Sequence, residues 1–265
     1  MRQPLPAERH NRILNVLRYR RAVRVSTLAD DLGVSEVTVR RDLEDLEHRG
    51  LLERTHGGAI STQRMGPEPA YIEAISRNQD EKRSIGQAAA MLVEPGDTIF
   101  LNGGTTTLQV FRHLHAGVRI VTNHVGMALE AVDRDLELIL VGGEYRPASN
   151  SCAGAFALDA IRRVFAARSF IGVEGISLRA GLTTPAAQEA EIARVMIEQT
   201  KGDVIVVADH SKLGTVANFA IAPIDRVSGV VTDGPIDRTH RVELESGGLP
   251  VIVAGERSAV AAPVR

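Results

Sequence analysis

The stretch STLADDLGVSEVTVRRDLEDLEHRGLLERTHGGAI, residues 26–60, decides how the chain begins to fold. Ser26 is a good N-cap for a short helix from Thr27 to Leu32, because its side-chain oxygen can accept from an orphan backbone N–H. Gly33 supplies the positive φ of a tight turn. Ser35 then caps a second helix from Glu36 to about His48, which Gly50 stops. At 100° per residue Val39, Leu43 and Leu46 share an inward face. Val37 and Arg41 point the opposite way, flanked by Thr38 and Arg40. Two guanidiniums and two small groups thus sit on a helix that fits a major groove. LLERTHGGAI adds a short strand, a basic tip at Arg54 and His56, and a Gly57-Gly58 turn back. That is the pattern of a wing over a phosphate backbone. The bland alternative is an ordinary helical pair with a solvated arginine face.

Charge adds local rather than global support. Residues 1–60 hold eleven Lys and Arg against nine Asp and Glu, a net of +2, and the rest of the chain nets −4. Arg18, Arg20, Arg21 and Arg24 cluster just before Ser26.

These motifs resemble the DeoR-type bacterial repressors. The run VSEVTVRRDLEDLEHRGLLERTHGGA is similar to that family's N-terminal signature, with a T-[VI]-R-R-D-L core and an H-G-G-A wing. The likeness continues to about residue 233 through EKRSIGQAAA, LNGGTTT, IVTNH, VGGEYR and VADHSKLG. It implies a DNA-binding domain at 1–60 with Ser35, Val37, Thr38, Arg40, Arg41, Arg54 and His56 at the DNA. A linker would follow at 61–77, an effector-sensing α/β domain at 78–250 and a tail at 251–265.

Length and composition fit two domains, since 265 residues exceed one typical domain and 44% hydrophobic content can fill two cores. The single cysteine, Cys152, excludes an internal disulfide and suits a reducing cytoplasm. No apolar run nears the roughly 20 residues of a membrane helix. A bacterial cytoplasmic protein, nucleoid-associated when bound to DNA and without a membrane partner, is expected. STQRMGPEPA at 61–70 is polar, aperiodic and holds two prolines, as a linker does. A first helix is expected from Leu5 to Arg20, and another from Asn78 to Val93. The tail from Pro250 to Arg265 is short and weakly patterned, and its end should fray.

Beyond the linker, apolar strands alternate with helices, which predicts a Rossmann-like, mostly parallel α/β sheet behind the winged helix-turn-helix. The strands fall at 98–101, 119–122, 136–141, 169–173, 204–208 and 229–232. The helices fall at 106–115, 125–133, 158–165 and 187–200. Ligands of such sheets bind beyond the carboxyl ends of the strands. There lie Asn102 to Thr107, Thr122 and Asn123, Gly142 to Arg146, and Asp209 to Lys212. The turn Asn102-Gly103-Gly104-Thr105-Thr106-Thr107 offers backbone N–H groups, hydroxyls and a helix N-terminus to an anion, or is only a capped tight turn. It is neither a Walker loop nor a dinucleotide fingerprint.

The chemistry on offer is recognition of a polyhydroxylated phosphate ester. Gly104, Thr105, Thr106 and Lys212 suit the phosphate. Asn102, Asn123, Glu144 and Asp209 suit hydroxyls, with Gly143, Arg146, Glu174 and Glu189 beside them. The resemblance implies the same, a sensor shaped like a sugar-phosphate isomerase and a phosphorylated sugar as effector. Asn102 departs from the Asp that the family often places before its G-T-T. An isomerase needs a base and enediolate stabilisers. Here Val173-Glu174-Gly175-Ile176-Ser177 replaces the second carboxylate of the isomerase V-D-G-A-D motif with Ser177, and no lysine lies between Ser177 and Lys201.

No metal constellation or cofactor motif is present. His113 and His115, at i and i+2, share no helix face. The reading is a repressor of a carbohydrate-metabolism operon, acting on operator DNA as a homo-oligomer, dimer or tetramer, because one winged helix reads too few base pairs. An enzyme with a DNA-binding appendage, or an activator, is the alternative.

Overall fold

The computed structural model describes residues 5–20, 22–49, 51–55, 57–60, 71–234 and 238–255. The chain divides into two compact units, Met1–Gly66 and Pro67–Arg265. The first unit runs α1 (Pro6–Arg20), β1 (Ala22–Arg24), α2 (Val25–Leu32), α3 (Glu36–His48), β2 (Glu53–Thr55) and β3 (Gly58–Ile60). Its strands form one antiparallel sheet in the order β1-β3-β2. Ile13, Leu17, Leu28, Val39, Leu43, Leu46 and Leu52 fill the core beneath, so α3 buries the face that its apolar spacing predicts.

One boundary shifts. Ser26 lies inside α2, and Arg24 occupies the cap position without a side-chain bond. The cause is non-local. β1 pairs with β3, and Val25 donates its N–H to the Gly57 carbonyl, so the chain enters the helix straight from a strand. Local cap preference yields to that pairing. Gly33 ends α2 with φ of 63°, as a left-handed C-cap.

The second unit opens with α4 (Tyr71–Ser76) and α5 (Gln79–Ala90). It continues through β4 (Thr98–Leu101), α6 (Thr105–His113), β5 (Arg119–Thr122), α7 (Val125–Glu130), β6 (Glu137–Leu140), β7 (Glu144–Arg146) and β8 (Ser151–Ala153). Then come α8 (Ala155–Ile161), β9 (Ala166–Gly172), β10 (Gly175–Ser177), β11 (Gly181–Thr184), α9 (Ala187–Glu198) and β12 (Thr200–Val207). β13 (Phe219–Ala222), β14 (Gly229–Thr232), α10 (Arg238–Ser246) and β15 (Val251–Val253) complete it.

Seven strands form one sheet in the order β15-β14-β12-β9-β4-β5-β6, every neighbouring pair parallel. Period-two alternation feeds a core on each face: Phe100 and Ile171 go to one, and Ile99, Leu101 and Phe170 to the other. The six strands expected from apolar runs all belong to this sheet. The seventh, β15, lies at the start of the weakly patterned tail, where no strand is expected, and it pairs with β14 at Val230↔Val251 to Thr232↔Val253. Residues 71–76, expected within the linker, form α4.

A hairpin, β7–β8, and a small antiparallel sheet, β10-β11-β13, stand outside the main sheet. The segment RPASNSCAG, residues 146–154, holds the end of β7, the turn of that hairpin and β8.

Candidate functional site

Two groups of residues carry chemistry, one in each unit. In the first, Ser35 caps α3 by accepting from the Thr38 N–H at 3.2 Å, and the two hydroxyls lie 2.9 Å apart. Val37 is 75% exposed, which leaves it able to touch a partner. Arg41 is exposed too. Arg40 pairs with Glu36 one turn back, at 3.1 Å. Arg54 lies 3.2 Å from Glu44 and 3.9 Å from Glu47, and its backbone N–H donates to Glu47 Oε1. Its charge is therefore partly satisfied by α3. His56 lies outside the described residues.

Asp42, on α3, is buried. It accepts from Arg9 Nε at 2.7 Å and Nη2 at 2.9 Å, and its Oδ1 is 3.2 Å from His10 Nε2. That bidentate pair fastens α1 to α3 beneath the exposed arginines.

In the second unit all seven strands run the same way, so residues after their carboxyl ends share one rim. Two clusters form on it. The first lies around Gly103, where a side chain would meet Ser151 Cβ at 2.8 Å. Glu189, on α9, is buried there, and its Oε1 accepts from Ser149 at 2.7 Å and Ser151 at 2.6 Å. Arg146 Nε lies 3.4 Å from the same oxygen, and Arg146 also donates to Gln188 at 3.1 Å. Glu189 Oε2 is buried without a hydrogen-bond partner among the described residues. Glu144, exposed on β7, is 3.4 Å from Gln188 Nε2.

The second cluster lies beyond β9 and β12. Lys212 Nζ donates to Glu174 Oε2 at 2.5 Å. Asp209, nearly fully buried, accepts from Asn78 Nδ2 at 3.0 Å and from the Ser211 N–H at 3.1 Å, as well as from the Ser211 hydroxyl. Burial alone would raise the Asp209 carboxyl. Lys212, Ser211, Lys82 and Asn78 outweigh it and hold the group below its ordinary value. Lys82, buried on α5, donates to the Ala74 carbonyl at 2.6 Å and the Arg77 carbonyl at 2.7 Å. Burial pulls its ammonium below the usual lysine value against the attraction of Asp209.

Other expected site residues are occupied by the scaffold. Asn102 accepts from the Gly172 N–H at 2.8 Å and donates to the Gly172 carbonyl at 3.0 Å, extending the β4–β9 pairing by one side chain. Asn123 accepts from the Gly103 N–H and donates to the Cys152 carbonyl, both at 2.8 Å. Gly104 caps α6, with Thr106 buried and Thr105 half-buried in its first turn. Gly143 packs its bare Cα against β8, where a side chain would lie 2.4 Å from the Ala153 carbonyl. Ser177 accepts from the Ala180 N–H at the turn between β10 and β11. His210 pairs with Asp233, through Nδ1 and through its backbone N–H, both at 2.7 Å, rather than with its neighbour Asp209.

Sequence reasoning missed Lys82, Asn78, Ser149, Ser151 and Asp233. Two of these left a signal. Lys82 shares the buried stripe of α5 with Ile85 and Ala89, and a lysine on an apolar face asks for a partner. Asp233 directly follows a predicted strand, β14. His124 is also buried, 2.9 Å from the Tyr71 hydroxyl, and burial lowers its pKa to about 4.

A winged helix followed by a parallel α/β domain with a polar rim defines a two-part transcriptional regulator. Residues 9–65 match the DeoR-like helix-turn-helix domain and residues 77–234 the DeoR C-terminal sensor domain. The chain is 36% identical over 250 residues to the HTH-type transcriptional regulator GlpR of Haloferax volcanii, covering 94% of this chain and 98% of that one. It is 30% identical over 248 residues to the HTH-type transcriptional repressor GlcR of Bacillus subtilis, covering 93% and 95%. Ribose 5-phosphate isomerase A of Methanocaldococcus jannaschii aligns with 51% of this chain and 54% of its own, at 16% identity and a TM-score of 0.38. The chain belongs to the DeoR family of transcriptional regulators. Among the described residues, no helix is long and apolar enough to cross a membrane.

Proposed function

We propose that the chain is a cytoplasmic repressor of a carbohydrate-metabolism operon, released from its operator by a phosphorylated sugar or a related intermediate. It works as an oligomer and carries out no catalysis. The observation that carries the effector reading is Glu189. A buried carboxylate oxygen without a donor is costly, and a sugar hydroxyl is the donor that a polar rim of serines would admit. Lys212, partly exposed in its pair with Glu174, supplies the cation for the phosphate. The incoming anion competes with Glu174, so binding exchanges one ion pair for another.

The same rim favours a route for the signal. α4 follows residues 61–70, and it is tied to the sensor at both ends, by Tyr71 to His124 and by Lys82 to the Ala74 and Arg77 carbonyls. Asn78, just beyond α4, donates to Asp209. An effector that re-pairs Lys212 changes the charge facing both Asp209 and Lys82. The arrangement of α4 shifts with it, and operator-competent and released states change in population.

On the DNA side, Arg41 and Val37 read bases while Arg40 and Arg54 clamp the backbone, with Ser35 and Thr38 at the helix entry and His56 on the wing. The isomerase alternative lacks support at Ser177, whose hydroxyl serves a turn.

The test is Lys212→Ala in the full chain. Losing a charge-assisted contact to phosphate costs about 1.5–3 kcal/mol, so release should need roughly ten- to a hundredfold more effector. Effector-free operator affinity should stay unchanged. Titration of operator-bound protein with ribose 5-phosphate and hexose phosphates, each beside its free sugar, reads this directly. Equal response of variant and wild type, or equal potency of the unphosphorylated sugars, would remove the phosphate site.

A further inference from the structure

We infer that the free edge of β6 is the seam at which a second copy of the chain pairs, strand against strand, about a two-fold axis through Ile139. The inference rests on the oligomer proposed above and says where that oligomer is joined. β6 ends the seven-stranded sheet, with β5 on one side and no strand on the other among the described residues.

The direction of its backbone groups is fixed. Glu137 donates its N–H to Val118 and Val141 to Thr122, so the odd positions turn toward β5. Leu138 and Leu140 therefore turn their N–H and C=O groups outward. Such a row is a template for another strand unless something blunts it. Nothing within the strand does so. Residues 136–141 read Leu-Glu-Leu-Ile-Leu-Val, with no lysine, proline or glycine. The one charge, Glu137, is drawn back onto its own sheet by Arg119 at 2.7 Å.

The side chains say what kind of strand fits. Ile139 is 41% and Leu140 39% exposed, one on each face of the sheet, and Leu129 and Val132 beside α7 are 76% and 80% exposed. An antiparallel pairing centred on Ile139 sets Leu138 opposite Leu140 of the second copy, and Leu140 opposite Leu138. These are the residues whose outward groups can exchange both hydrogen bonds. Ile139 meets Ile139, and Glu137 meets Val141, so no like charges are brought together. The Leu-Ile-Leu centre is its own complement, as an isologous interface requires. A two-fold axis normal to the sheet also keeps the α7 layers of both copies on one side. Leu129 and Val132 then gain an apolar neighbour, which accounts for their exposure in a single chain.

The experiment uses the full chain and two substitutions. Ile139→Cys brings two thiols together at a non-hydrogen-bonded antiparallel pair, where Cα atoms lie about 4.5 Å apart, a separation that a disulfide spans. Mild oxidation should give a covalent dimer that dithiothreitol reverses, while the wild type, with its buried Cys152, gives none. Ile139→Lys should lower the mass by light scattering to half that of the wild type, with an unchanged circular dichroism spectrum. A wild-type chain that is monomeric at every concentration overturns the oligomer and the seam together. An oligomeric wild type whose mass Ile139→Lys leaves unaltered, and in which Ile139→Cys forms no cross-link, overturns the seam alone.

Discussion

In the winged-helix unit the described polar side chains stand in solvent or at its edge with one exception, Asp42, whereas the sensor unit buries fifteen, from Lys82 to Asp233. The difference fits the role proposed for each part. A surface that reads DNA needs its arginines free to move onto phosphates and base edges, and α3 presents them above an apolar core. A rim that takes a small polar ligand must hold its donors and acceptors still. It does so by tying amides and carboxylates to backbone groups from other strands. Polar motif residues therefore sit differently in the two parts: Arg41 is exposed, whereas Asn102 and Asn123 are consumed by the fold.

The comparison is most easily broken at Asp42. If the first unit is fastened by one buried charge pair, Asp42→Ala removes the acceptor of the bidentate Arg9 contact and of His10 and should cost about 3 kcal/mol or more. Replacing Arg9 and Asp42 together by apolar residues of similar volume should cost much less, because no uncompensated charge remains. Chemical denaturation of the three proteins at neutral pH decides it. If the single and double variants were equally stable, the pair would be incidental to the packing of α1 on α3.

The sensor should lose stability in acid through one buried histidine. His124 is fully buried and its pKa is lowered to about 4, chiefly by burial. Between that value and 6.5 the unfolded chain binds a proton that the folded chain refuses, so stability falls as pH drops through this window. At 1.36 kcal/mol per unit the loss approaches about 3 kcal/mol. His124→Gln should flatten the slope of sensor stability between pH 6.5 and 4. A slope that persisted in the variant would place the titrating group elsewhere.

How much of this was readable in the sequence depends on whether the cause was local. α3 begins and ends where its cap and apolar spacing place it, since both signals lie within the helix itself. Five of the six expected strands show as apolar runs because they are parallel and covered on both faces, and β6 shows as one although it is exposed. β10 and β11, Gly-Ile-Ser and Gly-Leu-Thr-Thr, hold one large apolar side chain each, and β13 and β15, though apolar, are four and three residues long beside Pro223 and Pro250. α2 begins early because β1 pairs with a strand more than thirty residues away, at Val23↔Ala59. In the sensor, the residue types at the rim were legible but their partners were not. Asn102 answers to Gly172, Lys212 to Glu174 and His210 to Asp233, each a contact made by folding rather than by spacing.

The finest distinction lies within the winged helix itself, between Arg41 and Arg54. Both are cationic and are proposed to meet DNA, yet Arg41 stands on the outer face of α3 while Arg54 is held by Glu44 and Glu47. Exposed pairs of that kind are worth at most about 1 kcal/mol, so phosphate can replace them. Arg54→Ala should weaken operator and unrelated DNA alike and make the dependence on salt shallower by about one phosphate contact. Arg41→Ala should cost about 1–3 kcal/mol on operator DNA and less on unrelated DNA, because a base contact is lost. Binding isotherms on both DNAs across a salt series separate the two outcomes. If Arg41→Ala shifted every affinity equally and changed the salt slope, Arg41 would be a clamp like Arg54, and base reading would have to come from Val37 and its neighbours on α3.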